Sequence, residues 1–190
     1  WGQDACGQST PPKGDFIQVS AGATHTCGIR TDASLVCWGD RAPSGGLPSG
    51  EFSQVSAGNV HSCGIKKNGE VVCWGVTRRR WLNPPSGSFR QVSAAGIHSC
   101  GIRMDGSAVC WGVDKNGELN VPEGTYRQVS AGTGLTCGVE ADGNLTCWGG
   151  EVFRQSSSKT GGFIQISGGL EHSCGIKNDG TVLCWGSDSE

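Results

Sequence analysis

Paired cysteines recur along this chain at a fixed interval, and that interval restricts what the chain can fold into. Ten of the 11 cysteines form five pairs, the members of each pair lie ten positions apart, and successive pairs follow every 36 or 37 residues. Recurrence at such a period is typical of solenoids and propellers, in which each repeat is one small structural unit. The pairs are Cys27 and Cys37, Cys63 and Cys73, Cys100 and Cys110, Cys137 and Cys147, and Cys174 and Cys184.

Each cysteine pair encloses a predicted β-hairpin. In the second unit, the turn Lys67-Asn68-Gly69 joins two short strand-like runs, and glycine at the third position suits a three-residue hairpin loop. Lys66 then faces Glu70, and three steps back along both strands place Cys63 opposite Cys73. Because opposed residues on antiparallel strands lie within disulfide range, the sequence predicts one disulfide across every hairpin.

The first unit departs from this turn pattern. It has Ala33 where the other four units have glycine, and a left-handed turn position strains any residue that carries a Cβ atom. We expect a mildly strained turn, or a turn of another type, with Cys27 and Cys37 still paired.

A strand of the form F-x-Q-V-S-A opens most units. In a regular strand the Phe, Gln and Ser side chains share one face, while the intervening Val and Ala share the other. Both faces are mostly uncharged, which favours sheets stacked against neighbouring sheets. The sequence therefore predicts an all-β protein, a β-propeller of five blades of about 37 residues with one hairpin disulfide each. The predicted units cover approximately residues 14–50, 51–87, 88–124, 125–161 and 162–190.

Tryptophans mark the loops between the predicted blades. Six of them recur at steps of 36 or 37 residues and delimit five periods, at Trp1, Trp38, Trp74, Trp111, Trp148 and Trp185. Two arrangements fit this count. Either the chain closes as a five-bladed ring, with residues 1–13 completing the last blade, or it is a piece of a longer array. The ring is the favoured prediction.

Composition and charge exclude several classes of function. A net charge of -2 lacks the basic excess that a dedicated nucleic-acid binder needs. No apolar stretch is long enough to cross a bilayer, so no membrane insertion is expected. The N-terminus lacks the features of a signal peptide, so an exported protein would have this sequence as its processed form. Eleven cysteines in 190 residues indicate an oxidising compartment unless they bind metal.

Four histidines raise the alternative of a metal site, since each lies two residues before a cysteine. Zinc sites favour cysteine pairs separated by two to four residues, whereas a hairpin pair brings together only two sulfurs. We therefore expect disulfides, no metal and no cofactor, with the histidine rings hydrogen-bonded to backbone groups at blade corners. Leu135 replaces the histidine in unit four without loss of the surrounding pattern. The histidines are His25, His61, His98 and His172.

The recurring V-S-A-G-x-x-H and W-G elements resemble the repeats of the regulator of chromosome condensation superfamily. Instances are Trp1-Gly2 leading to Gly7-Gln8, and Trp111-Gly112 leading to Gly117-Glu118 and Pro122. The resemblance implies a β-propeller, usually of seven blades, whose rim loops bind other proteins. The C-W-G form with paired cysteines is similar to the extracellular crinkly-type variant, which implies a secreted or cell-surface location. The nuclear nucleotide-exchange role is not expected here, because its binding loops have no counterpart.

The loops that follow each W-G differ between units, and such variation on a constant scaffold is where recognition is expected. One loop joins three guanidinium groups to an indole, which suits an acidic protein surface, a sulfated sugar or a phosphate. Another carries an aromatic and a basic residue before a serine-rich stretch. The candidate binding residues are Arg78, Arg79, Arg80 and Trp81 in the first loop, and Phe153 and Arg154 in the second.

Two further residues are singled out by chemistry. Cys6 has no partner within its own unit, and it either bridges to another chain or stays reduced. Asn144 begins the sequon Asn144-Leu145-Thr146, which would carry a glycan only in a eukaryotic source.

The leading functional hypothesis is a non-enzymatic secreted or cell-surface module that binds another protein, in an adhesive, inhibitory or assembly role. The alternative is a carbohydrate-binding lectin with sites between blades, and a hydrolase is the weakest candidate. An enzyme would need unlike groups that converge, such as a nucleophile with a base, and the sequence shows no such set.

Overall fold

Five antiparallel sheets follow one another along the chain. The computed structural model describes residues 4–40, 46–75, 83–150, 158–169 and 172–186. Each sheet has three strands in sequence order, and we call each sheet a blade. No helix in these ranges is long and apolar enough to cross a membrane. The predicted all-β architecture of five blades is confirmed.

The strands have similar bounds in every blade. Blade one contains β1 Phe16–Ala21, β2 His25–Arg30 and β3 Leu35–Gly39; blade two contains β4 Phe52–Ala57, β5 His61–Lys66 and β6 Val71–Gly75; blade three contains β7 Phe89–Ala94, β8 His98–Arg103 and β9 Ala108–Gly112. Blade four contains β10 Tyr126–Ala131, β11 Leu135–Glu140 and β12 Leu145–Gly149; blade five contains β13 Phe163–Gly168, β14 His172–Lys177 and β15 Val182–Gly186.

The hairpin register matches the prediction. Cys63 pairs with Cys73 in the β5–β6 ladder, and the equivalent cysteines oppose each other in the other four blades. All five predicted disulfides are present, with Cα–Cα distances of 4.0 to 4.1 Å. A cross-strand bridge of this kind lowers the entropy of the unfolded hairpin by an amount equivalent to about 2–3 kcal/mol. Each small sheet therefore has a covalent stabiliser of its own.

The turn at Ala33 keeps the geometry of the glycine turns. Ala33 has a φ of 66°, and its amide donates to the Arg30 carbonyl at 2.9 Å, as the Gly69 amide donates to Lys66 at 2.8 Å. The strained alternative is therefore correct, and the turn is not of another type. The left-handed conformation directs the Ala33 carbonyl to the next blade, where it accepts the amide of Phe52 at 2.9 Å.

The prediction that Phe, Gln and Ser share one face of each first strand was wrong for the aromatic residue. The register shifts between Phe52 and Gln54 in β4, and every other first strand has the same β-bulge. An extra residue in a bulge reverses the alternation on one side of it. Phe52 therefore packs together with Val55 and Ala57 against blade one, whereas the sequence had placed it with Gln and Ser.

The glycine after the first cysteine of each pair makes room for this aromatic ring. A Cβ atom on Gly64 would lie 2.9 Å from Cδ1 of Phe52, closer than carbon atoms approach in folded proteins. Trp74 of the same blade meets the Phe52 ring edge-on, with 6.2 Å between ring centroids. The C-G and W-G elements of the repeat thus hold one buried aromatic residue in place.

Candidate functional site

Glutamine side chains connect each blade to the next. Gln91 in blade three donates from Nε2 to the carbonyl of Val129 in blade four at 2.8 Å, and its Oε1 accepts the Val129 amide at 2.9 Å. Gln18 and Gln128 make the same two bonds, to Val55 and Ile166 respectively. The Gln side chain therefore binds an outward-facing peptide group much as another strand would.

Serine side chains and turn carbonyls add two more bonds at each junction. Ser93 Oγ accepts the amide of Ala131 in the next blade at 3.0 Å. The carbonyl of turn residue Gly106 accepts the amide of Tyr126 at 2.9 Å. The same pairs occur at all four junctions between the five blades. Each junction is thus directional, because the Gln and Ser side chains and the turn carbonyl come from one blade, and the backbone groups that they bind come from the next blade.

Three of the histidines also lie at the junctions. His61 Nε2 is 2.7 Å from Oγ of Ser99 in the next blade, and the disulfide sulfur of Cys63 lies 3.4 Å from the same oxygen. His25 contacts Ser62 and His98 contacts Thr136 in the same way. The expectation that the rings bond backbone groups was wrong, because each ring faces the hydroxyl one position before the next blade's first cysteine.

Burial keeps these rings uncharged. Desolvation, with smaller contributions from His98 and His25, lowers the pKa of His61 to about 4. Burial lowers the pKa of His25 as well. It also lowers the pKa of His98, against the opposing effect of nearby carboxylates. His61 and Ser99 are both fully buried, so this serine and histidine cannot reach a substrate. Their pairing holds blades together.

The junction between blades four and five lacks this hydrogen bond. Leu135 occupies the histidine position and is buried. The hydroxyl that would have faced a histidine belongs to Ser173, which is buried and has no hydrogen-bond partner among the described residues. Apolar packing therefore replaces a polar contact at one of four equivalent places.

Small residues surround a cavity where the first strands end. The cavity has a volume of about 290 Å³ and is lined by residues 21–23, 57–59, 94–95, 131–133 and 168–169 from all five blades. Backbone bonds cross between blades here, from the Ala23 amide to the Gly58 carbonyl and from the Asn59 amide to the Ala95 carbonyl. Its lining holds Ala, Gly, Asn and Thr, without a charged side chain.

The loop after Trp111-Gly112 folds onto blade four. The buried carboxylate of Glu118 accepts the amides of Lys115 and Asn116 at 2.8 and 2.7 Å. Its backbone carbonyl accepts Nε1 of Trp148 at 3.1 Å. The G-E element that carries part of the family resemblance thus anchors one loop to the following blade.

The N-terminal segment contacts blade one at the corresponding place. The Gln8 carbonyl accepts the hydroxyl of Thr26 at 3.0 Å, and a Cβ atom on Gly39 would lie 2.8 Å from Cβ of Gln8. The proposal that residues 1–13 complete the fifth blade stays a prediction.

The predicted binding residues lie outside the described part of the chain. This applies to Arg78, Arg79, Arg80 and Trp81 in one loop, and to Phe153 and Arg154 in the other. Cys6 is described and is an exposed free thiol. Asn144 is half-buried, and its side chain donates to Asp142 at 2.7 Å and accepts the Gly161 amide at 3.1 Å. A glycan on Asn144 would replace one of the two hydrogens on its side-chain nitrogen, which leaves a single N–H to donate to Asp142.

The repeats match a known sequence family. The model of the regulator of chromosome condensation (RCC1) repeat matches residues 16–40, 52–76 and 163–190. These three segments of the chain are similar to RCC1 repeats. The five hairpin disulfides of the chain fit the disulfide-bearing variant of these repeats. A comparison with curated protein sequences gives no significant match.

Solved structures of RCC1-like propellers share this fold. The ectodomain of the Physcomitrella patens receptor kinase CR4 is 24% identical with a TM-score of 0.81, over 94% of this chain and 54% of that one. The CRINKLY WD40 ectodomain of the Arabidopsis thaliana receptor kinase ACR4 is 29% identical with a TM-score of 0.78, over 93% and 67%. Yeast RCC1 (Prp20), solved bound to Kap60, is 15% identical with a TM-score of 0.76, over 90% and 56%. This chain thus spans between about half and two thirds of the length of these structures.

Proposed function

We propose that this chain is a non-enzymatic secreted or cell-surface module that binds another protein through its rim loops. One observation carries the proposal: the polar residues that recur in the repeats bond one blade to the next. The Gln, Ser and His side chains at the blade junctions form hydrogen bonds to the next blade. Recognition then falls to the loops, whose sequences differ from blade to blade.

The disulfides support the proposed location. Disulfides form and persist where the surroundings are oxidising, as at the cell surface or outside the cell. Two of the similar structures are ectodomains of receptor kinases, and an ectodomain lies outside the cell. Yeast RCC1 (Prp20), which contains this fold, was solved bound to another protein, Kap60.

The basic loop is the proposed principal contact. Three consecutive arginines with an adjacent tryptophan combine charge-assisted hydrogen bonding with apolar area, and Arg and Trp are enriched among the residues that dominate binding energy. We propose an acidic patch on the partner protein as their target, with Phe153 and Arg154 as a second contact. The carbohydrate alternative has less support, because the Gln and His residues that would have formed equivalent pockets bind the neighbouring blade at the described junctions.

Affinity capture tests the proposal. The disulfide-intact chain, immobilised, is exposed to native extracellular material, and bound proteins are identified by mass spectrometry. We expect specific protein partners, whose capture falls at least tenfold when Arg78, Arg79 and Arg80 are changed to Ala, as expected for a central charged contact.

A charge-matched variant serves as the control. Changing Lys13, Lys67 and Arg127 to Ala removes three exposed cations elsewhere on the surface, and we expect capture to persist. Equal loss in both variants would indicate non-specific charge attraction. Unchanged capture in the first variant would remove the basic loop from the proposal. Selective binding on a glycan array, with no captured protein, would favour the lectin.

A further inference from the structure

The third strand of blade three is the outer edge of its sheet. The first strand of this blade, β7, lies against the first strands of blades two and four, so β9 is on the opposite side of the sheet. Blade three has a neighbouring blade on each side, and this edge is therefore not an end of the array. A sheet edge presents backbone N–H and C=O groups to which a further strand can bind.

The register of the hairpin identifies the outward groups of β9. Cys100 and Cys110 have a Cα–Cα distance of 4.0 Å, which is typical of directly opposed residues that share no ladder hydrogen bonds. The N–H and C=O groups of Cys110 therefore point away from β8, and by alternation those of Ala108 do so as well. Both residues are half-buried.

Blade four shows that such an edge accepts a further strand. The Lys159 amide donates to the Leu145 carbonyl at 2.8 Å, and the Leu145 amide donates to the Lys159 carbonyl at 2.9 Å. Lys159 thus pairs as one residue of a fourth, antiparallel strand. Its ammonium group lies over the ring of Trp185 in blade five, 6.0 Å from the ring centroid. Leu145 is the equivalent of Ala108, and it is fully buried.

A proline prevents the same pairing in blade three. Pro122 lies four positions before Tyr126, as Lys159 lies four positions before Phe163. Pro122 has no N–H group to donate, and its carbonyl accepts the hydroxyl of Tyr126 at 3.0 Å. Residues 113–125, which follow β9, are all described, and within the described part of the chain their backbone forms no hydrogen bond to this strand. The outward groups of β9 are therefore left open.

We propose that the outer edge of β9 binds an extended segment of the partner protein as a fourth strand. The inference rests on the proposed protein-binding function, and it adds backbone pairing to the contacts of the loop side chains. The segment lies beside Ala108 and Cys110 as Lys159 lies beside Leu145. Strand addition of this kind takes its affinity from main-chain hydrogen bonds and its specificity from alternate side chains.

The surroundings of the edge define the chemistry of the segment. Side chains of an added strand alternate between the two faces of the sheet. On one face, Val109 packs against a cluster shared with blade two. On the other face, Ala108, Cys110 and Val121 pack against a cluster shared with blade four. The segment is therefore an extended run with apolar residues on both faces, without proline at positions that donate to β9.

A peptide library tests the edge. All proteins carry Arg78, Arg79 and Arg80 changed to Ala, so the proposed loop contact makes no contribution. Short random peptides displayed on phage are selected on this disulfide-intact chain, and amide hydrogen exchange is followed by nuclear magnetic resonance. We expect selected peptides with alternating apolar residues to slow exchange of the Ala108 and Cys110 amides by about tenfold or more.

Two exchanged residues at the edge position sharpen the test. Pro122→Lys gives blade three the arrangement of blade four, so the Ala108 amide should be protected without peptide, and peptide affinity should fall by about tenfold or more. Lys159→Pro should open the edge of β12, so that the same peptides protect the Leu145 amide. Asn120→Lys is the matched control, because it adds the same charge at an exposed position of the loop after β9, and peptide binding should be unchanged.

The outcomes separate the edge contact from the proposed function. Peptides that bind without protecting the β9 amides would overturn the edge contact and leave the loop contact standing. Undiminished binding to Pro122→Lys, with its Ala108 amide protected, would contradict the edge contact as well. Protection that rises with protein concentration in the absence of peptide would make a second copy of this chain the occupant instead. A library without binders would refute the inference, whereas the capture experiment tests the proposed function separately.

Discussion

Three of the four blade junctions contain a buried histidine bonded to a hydroxyl. The fourth contains Leu135, and there the hydroxyl of Ser173 has no partner in the part of the chain that the structure describes. The surrounding bonds are the same in both kinds: Gln91 and Gln128 each bind the next blade through both ends of the amide. The polar pair is therefore not required for stacking. What differs is the response to protons, since a buried histidine titrates and a leucine does not.

Acidification is expected to have the largest effect, and to act on the histidine junctions. Because the folded-state pKa of His61 is about 4, below its ordinary value of 6.5, the unfolded chain binds protons more tightly. The contribution of His61 to the free energy of unfolding has its full value above about pH 6.5 and decreases as the pH falls. At pH 4 it has decreased by about 3 kcal/mol. Urea unfolding at about pH 7.5 and about pH 4 measures the loss.

The double variant His61→Leu with Ser99→Ala converts one junction to the apolar kind. Between about pH 7.5 and about pH 4, the free energy of unfolding of this variant should fall by about 3 kcal/mol less than that of the parent, while the contributions of His25 and His98 remain. An undiminished pH dependence would mean that His61 is not the titrating group.

Removal of the hydroxyl is expected to have opposite effects at the two kinds of junction. Ser99→Ala leaves His61 Nε2 buried without its partner and should lower the free energy of unfolding by about 1–2 kcal/mol. Ser173→Ala removes a buried oxygen to which no described residue is hydrogen-bonded, so stability should stay the same or rise by up to about 1 kcal/mol. Parallel urea titrations at neutral pH compare the two, and equal losses would contradict the difference between the junctions.

The smallest effect is expected when a histidine is introduced at the fourth junction. Leu135→His gives Ser173 a partner but removes buried apolar area, and the two changes should cancel to within about 1 kcal/mol at neutral pH. The variant should become more sensitive to acid than the parent, and nuclear magnetic resonance should report an imidazole pKa below 6.5 for residue 135. An imidazole that titrates at its ordinary value would show that the ring lies in solvent.

Local features of this fold were predictable because hairpin geometry depends on neighbouring residues. The turn Lys67-Asn68-Gly69 set the register, and the register set Cys63 opposite Cys73. The β-bulge was missed, since regular alternation was assumed from Phe52 to Ala57, and one extra residue reverses the side on which the aromatic ring lies.

The junction contacts were missed for a different reason. The contacts of the Gln, Ser and His side chains join residues 37 or 38 positions apart, and no local pattern indicates which blade a side chain faces. A signal was present, because Gln and Ser recur in every first strand without an obvious local role. The binding residues on the variable loops were chosen by residue chemistry alone, and their role rests on the capture experiment.

The disulfides also bear on how such a chain matures. Each bridge joins cysteines only ten residues apart and never links two blades. Every repeat can therefore oxidise as soon as its own hairpin has formed, before the later repeats have been synthesised. Correct cysteine pairing depends only on the hairpin that contains both cysteines. Repeats of this kind can therefore be added or lost during evolution without changing the disulfide pairing in the remaining repeats.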